Sequence, residues 1–268
     1  MKNGLLTIPD GGEIASVVGQ DVRERAVLHE WPLSRVERIL FDGDGSAILK
    51  TQLTAASAER AFYRAVRDPA LLVPLADGEI GDCDWMLLPD LGEAREDWSA
   101  LSDEAIRERV RELRRAIGRF DTPAAPVFFD FSTPEKLADA CRRILPTLGN
   151  AGMTEQERSR LLDWAEHGAA ALWDVPVVLL HGDCKGENVV PRETGTVLLD
   201  WQRPIRGPEP LDEELALLLA GRESRGRYAP LAAFVMGHWY AWAYRTCLPY
   251  PFVLGMGKKF LRGMLETI

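Results

Sequence analysis

The residues best placed to do chemistry lie in one stretch, Val177-Val-Leu-Leu-His181-Gly-Asp183-Cys-Lys185-Gly-Glu-Asn188-Val-Val, with Val197-Leu-Leu-Asp200-Trp201 shortly after it. Two carboxylates and an amide stand beside apolar runs, and the pattern reads as a strand–loop–strand hairpin. Transfer of a phosphoryl group needs a carboxylate that orients the attacking hydroxyl and accepts its proton. It also needs oxygen ligands that hold magnesium against the phosphates. Asn188 and Asp200 are suitable ligand types for magnesium. Asp183, five residues before Asn188, is then free to face an acceptor hydroxyl. Asp, Asn and Gly are also ordinary turn residues. However, four fixed residues in the order H-G-D-x-x-x-x-N match by chance in roughly one chain of this size in several hundred.

Elements that position such a loop are legible on both sides of it. A helix is expected over Glu13–Gly19, followed by strands at Ala26–Trp31 and Val36–Phe41. Asp42-Gly43-Asp44-Gly45 is a strong turn signal, and Ala47–Thr51 returns as the paired strand carrying Lys50. Ala55–Val66 reads as a helix with Ala58, Ala61, Phe62 and Ala65 on one face. Short strands follow around Val73–Ala76 and Trp85–Leu88, and Pro89-Asp90-Leu91-Gly92 reads as a linker. The remainder is helical. Ser102 caps a stripe of Ile106, Val110, Leu113 and Ile117. Thr133-Pro134 starts a second helix, and the Thr154/Glu157 capping box a third that runs towards Leu172.

Composition narrows the function classes. The chain has 268 residues, 46% of them hydrophobic and 27% charged, which fits one large domain or two packed lobes. A net charge of −9 without a basic cluster argues against a nucleic-acid partner. It is compatible with a cationic substrate, as it is with plain solubility. The N-terminal stretch MKNGLLTIPDGGEIAS lacks a long apolar run, so neither a signal peptide nor a membrane partner is expected. Cys83, Cys141, Cys184 and Cys247 are scattered with no zinc or disulfide spacing, and a cytoplasmic location is the expectation.

The stretch from His181 to Trp201 resembles the catalytic loop and metal strand of aminoglycoside phosphotransferases and related small-molecule kinases, a superfamily similar to protein kinases. The resemblance runs from about Ala26 to Leu219. It implies an α+β, bilobal, protein-kinase-like fold, with a small antiparallel β lobe over residues 1–91 and a larger helical lobe over 92–268. The cofactors it implies are ATP and Mg2+, with the nucleotide between the lobes and a small-molecule hydroxyl as acceptor. By resemblance Asp183 is the catalytic base, His181 buttresses the loop, and Asn188 and Asp200 bind the metal. Lys185 stands where a protein-kinase lysine would touch the transferred phosphoryl group. Upstream, Lys50 matches the strand lysine on the nucleotide phosphates, and Glu59 the helix glutamate that holds it. Trp85–Gly92 is similar to the lobe-connecting hinge, with the Leu88 carbonyl and Asp90 N–H facing adenine. Asp212 corresponds to an acidic residue that braces the catalytic loop. In one departure, the turn expected to cover the phosphates, Trp31–Arg35, holds no glycine, which leaves Ser34 as its hydroxyl and N–H donor. A cationic antibiotic is the acceptor expected first. The alternatives are a metabolic amino alcohol or sugar, and a catalytically weak nucleotide-binding pseudokinase. The aromatic stretch Leu231–Thr246 has helical spacing and is expected to be core.

Overall fold

A computed structural model describes residues 6–43, 45–193 and 195–268. The first five residues of the N-terminal stretch, and Asp44 of the expected Asp42–Gly45 turn, lie outside the described residues. The chain divides into two compact units, Met1–Glu96 with Val189–Gln202, and Asp97–Asn188 with Arg203–Ile268.

In the first unit, helix α1 (Gly11–Val18) starts two residues before its expected position. The cause is an Asp10/Glu13 capping box in which each side chain accepts the other residue's amide at 2.8 Å. Strands β1 (Val22–Trp31), β2 (Ser34–Phe41), β3 (Ser46–Leu53), β4 (Ala76–Ile80) and β5 (Cys83–Pro89) form one antiparallel sheet in the order β1-β2-β3-β5-β4. Alternation along β3 sends Ala47 and Leu49 to a core with Ile14, Ile39, Phe41, Trp85 and Leu87. Lys50 and Gln52 consequently share the other face. The strand expected around Val73–Ala76 lies instead at Ala76–Ile80, and Val73 and Leu75 are exposed. Pro74 has no N–H for a ladder there. Gly78 leaves the space that the Trp85 ring occupies, since a Cβ would come within 2.7 Å of it.

The helix expected over Ala55–Val66 is also shorter. A 3-10 turn covers Thr54–Ala56, and helix α2 runs only from Glu59 to Ala65. Ser57 is extended and its Oγ accepts the Glu59 amide at 3.1 Å, while the Ala58 amide donates to the Gln202 carbonyl at 2.9 Å. Its buried face is Glu59, Phe62, Tyr63 and Val66, whereas Ala61 and Ala65 are exposed. A glutamate occupies a core position of the stripe. Strands β8 (Val189–Arg192) and β9 (Gly195–Leu198) pair with each other and belong to this unit. They are tied in by the Leu198 amide on the Ala70 carbonyl at 2.8 Å and the Glu96 amide on Val189 at 3.1 Å.

In the second unit, α3 (Asp103–Ile117) buries Ile106, Val110, Leu113 and Ile117 as its spacing predicts, with Ser102 as cap. Helix α4 (Pro134–Asn150) is capped by Thr133. Helix α5 (Glu155–Asp163) begins with the Thr154/Glu157 box but does not reach Leu172. A wide π turn at Trp164–Gly168 and a 3-10 turn at Ala170–Trp173 follow it. Gly168 supplies the room, because a Cβ there would lie 3.1 Å from the Trp164 ring. The short strands β6 (Phe129–Asp130), β7 (Val177–Leu180) and β10 (Ile205–Pro208) form a sheet in the order β6-β10-β7. Thus Val177–Leu180 pairs with β10, and the single hairpin expected between it and Val197–Asp200 does not exist. Helices α6 (Leu211–Leu219), α7 (Ala229–Thr246) and α8 (Pro251–Leu265) complete the unit. Helix α7 is core, with Leu231, Phe234, Val235, His238 and Trp239 buried. Among the described residues no helix is long and apolar enough to cross a membrane.

Candidate active site

Strand β7 ends in the second unit's loop His181–Lys185, and the 3-10 turn Gly186–Asn188 follows. Asp212, at the start of α6, braces this loop with both carboxylate oxygens. Oδ2 accepts the His181 amide at 2.9 Å and Oδ1 the Gly182 amide at 3.1 Å. Burial pushes the Asp212 carboxyl above the usual aspartate range, against the pull of His181, the two amides and Arg114. Gly182 has φ 77°, and a Cβ on it would lie 2.3 Å from the Arg203 carbonyl oxygen. Only glycine fits this position.

The loop then folds on itself. The fully buried His181 accepts the Asp183 amide on Nδ1 at 3.3 Å. Asn188 Nδ2 donates to the Asp183 carbonyl at 2.8 Å and lies 3.5 Å from its Oδ2. The amide nitrogen is thereby engaged by the loop, which leaves Oδ1 as the atom of Asn188 available to a cation. Arg203 Nη2 stands 3.4 Å from Asp183 Oδ2, and its guanidinium lies 4.5 Å from the centre of the Trp239 ring. Lys185 is half-buried and pairs with Glu187 at 3.1 Å.

A second cluster sits in the first unit. Lys50 Nζ is 2.7 Å from Glu59 Oε2 and 2.6 Å from Asp200 Oδ1. Gln52, two residues along the same face of β3, donates to the same Glu59 oxygen. Burial alone would pull the Lys50 ammonium down, but Asp200 and Glu59 together hold it above the usual lysine value. Burial pushes the Glu59 carboxyl up; Lys50 opposes this, and the second carboxylate on the same ammonium adds to it. Asp200 itself adopts φ 65°, a left-handed conformation uncommon outside glycine. It is held there by the next residue, since the fully buried Trp201 stacks on Phe62 with ring centres 4.3 Å apart and planes within 6°.

The remaining expected residues are placed less distinctively. Leu88 is buried in β5 opposite Ile48. The Asp90 side chain ties down the strand ends, accepting from Arg38 at 2.8 Å, Ser46 at 3.1 Å and the Gly92 amide at 2.9 Å. Burial raises its carboxyl, and these three donors outweigh that and hold it below the usual range. The β1–β2 turn is only Pro32-Leu33, so Ser34 is a buried first residue of β2. Gln52, Phe62, Arg203 and Trp239 were not among the expected site residues.

Thiol chemistry has no candidate, because all four cysteines are buried and unbridged. Burial pushes Cys141 up to about 12 and Cys247 to about 11. Among the described residues no group of three or more His, Cys, Asp or Glu side chains could hold a metal. A donor set of one carboxylate and one amide suits magnesium, which completes its shell with waters and phosphate oxygens.

No curated protein matches the sequence. Among solved structures, the macrolide 2′-phosphotransferase of Brachybacterium faecium is similar at 14% identity and a TM-score of 0.58, covering 93% of this chain and 95% of its own. A spectinomycin phosphotransferase bound to ADP and spectinomycin aligns at 11% identity and TM-score 0.52, covering 97% and 99%. An ethanolamine kinase of Plasmodium vivax aligns at 9% and 0.54, covering 90% and 82%. These likenesses establish the protein-kinase-like α+β fold. The sequence model of the phosphotransferase enzyme family matches residues 35–247, most of the chain. The chain therefore belongs to the phosphotransferase enzyme family, whose small-molecule kinase members share its fold.

Proposed function

We propose that this enzyme transfers the γ-phosphoryl group of ATP to a hydroxyl of a small molecule, with Asp183 as the base. The observation that carries this reading is the build of the Asp183 loop. A buried carboxylate is fixed by Asn188 and Arg203 on a loop whose backbone is clamped by Asp212 and whose glycine admits no side chain. Such fixed geometry is what positioning a nucleophile requires. Asp183 orients the acceptor hydroxyl and takes its proton as the new O–P bond forms and ADP leaves. Lys50, kept in place by Glu59, neutralises phosphate charge, and Lys185 meets the transferred group. Asn188 and Asp200 would hold Mg2+, which supplies charge neutralisation at the phosphates. Leu88 and Asp90 offer backbone groups to adenine, and Ser34 serves the phosphate side in place of a glycine loop. Nucleotide recognition is thereby assigned to residues 1–91, and acceptor binding to 92–268.

The acceptor class we favour is a cationic hydroxylated antibiotic, in keeping with the net charge of −9 and with the drug phosphotransferases of the same fold. The four unbridged thiols suit a cytoplasmic enzyme. The test is Mg2+-dependent ATP consumption across a panel of hydroxylated antibiotics, amino alcohols and sugars. At least one compound should raise turnover, and Asp183→Ala should lose about 10²–10⁴-fold. Turnover on an amino alcohol or sugar alone would reassign the enzyme to metabolism. ATP binding by thermal shift without turnover on any compound would favour a pseudokinase, for which the glycine-free Pro32-Leu33 turn is the structural argument.

A further inference from the structure

Helix α7 presents one row of side chains to a cavity. His238, Trp242 and Arg245 follow one another at single-turn spacing. With Phe128 and Phe129 at β6 and Arg143 on α4, they line a cavity of about 410 Å³ within the second unit. That size is ordinary for a small-molecule site. The cavity shares no residue with the Asp183 loop.

The walls are aromatic and incompletely covered. Phe128 and Trp242 meet edge to face at 5.0 Å, and both are only half-buried, so ring surface stays open. Phe129 and His238, edge to face at 4.7 Å, form the closed end. His238 is 6% exposed, and its Nδ1 has no hydrogen-bond partner. A buried orphan of this kind needs an explanation. Burial, with Arg143 and Arg245 nearby, lowers the imidazole to about 3, so it is neutral at physiological pH and can donate or accept.

The rim is cationic. Lys136 is answered by Asp130 at 2.6 Å, but Arg143 and Arg245 have no carboxylate partner among the described residues. Arg245 Nη1 donates to the Arg143 carbonyl at 3.0 Å, which ties the two positions together. Two unanswered guanidiniums beside open aromatic faces match a planar ring carrying an anionic group, since guanidinium pairs bidentately with carboxylate.

We propose that this cavity binds a small aromatic carboxylate, with its ring on Phe128 and Trp242 and its anionic group on Arg143 and Arg245. The nearly buried His238 closes the inner end. The site is independent of the acceptor and of the phosphoryl-transfer reading.

Calorimetric titration of the full chain with indole-3-acetate and its neutral amide, indole-3-acetamide, tests it. The acid should bind saturably at one site, and the amide about tenfold more weakly. Arg143→Gln or Arg245→Gln should remove most of that preference. Both arginines are exposed, so the fold should survive, and an unchanged Tm would verify this. Asp183→Ala should leave its affinity unaltered. Absence of saturable binding, equal affinity for acid and amide, or unchanged affinity in both arginine variants would overturn the proposal.

Discussion

Replacing Asp212 by alanine isolates the clamp under the His181–Asn188 loop. The substitution removes the acceptor of two buried amides, those of His181 at 2.9 Å and Gly182 at 3.1 Å, a carboxylate that is 1% exposed. A buried donor left without a partner costs about 1–3 kcal/mol, so the pair amounts to roughly 2–6 kcal/mol. Relief from burying the carboxylate, the same burial that raises its pKa, offsets part of this. A net loss of about 2–4 kcal/mol is expected, a large share of the ~5–15 kcal/mol typical of a folded protein. Asp212→Asn should do little better, because its carboxamide accepts one amide but turns its own NH2 towards the other. Urea unfolding gives the stability change, and amide exchange at His181 and Gly182 localises it. Turnover should fall with little change in KM for ATP, since Asp183 follows directly in the loosened loop. Unchanged protection of both amides, together with a stability change within about 0.5 kcal/mol, would refute the clamp.

Lys50→Ala leaves Glu59 and Asp200 without their shared cation and should cost about 3–5 kcal/mol, whereas Lys50→Met with Glu59→Met should regain stability but not activity. Denaturant titration and turnover of the two variants separate these outcomes. Gly182→Ala should destabilise by more than the ~1–2 kcal/mol of a left-handed alanine, because its Cβ meets backbone rather than a flexible side chain, and a Tm within 1 °C of wild type would contradict the geometry. Glu157, paired with Arg262 at 2.6 Å and capping α5, is lowered to about 2 from 4.5. Its folded pKa is depressed, so its contribution is complete above about pH 4.5 and fades as pH falls towards 2. The stability gap between wild type and Glu157→Gln should therefore be full at pH 6 and close on acidification.

The His181–Asn188 loop stood out in the sequence because its residue types recur at fixed intervals, and the helix caps because Ser102, Thr133 and Thr154 act within their own first turns. Side-chain periodicity located the core face of α3 for the same local reason. It failed on α2, where Glu59 takes a buried place that apolar counting assigned to the small alanines. It failed again at Val73–Ala76, where apolar composition masked the missing donor of Pro74. The pairing of Val177–Leu180 with Ile205–Pro208 rather than with Val197–Leu198 depends on partners remote in sequence, which no local pattern encodes. Arg203 beside Asp183 and the Phe62–Trp201 stack were hidden in the same way, because proximity in space leaves no mark on spacing.

The late hairpin Val189–Gln202 has a consequence for how the protein is made. Phe62 and Lys50 emerge early from the ribosome, but Trp201 and Asp200 are translated about 140–150 residues after them. At ~5–20 residues per second Phe62 waits on the order of 7–30 s for the ring that covers it. The first unit is therefore expected to finish folding only after much of the second has been synthesised, and a fragment ending at Glu96 should be prone to aggregate.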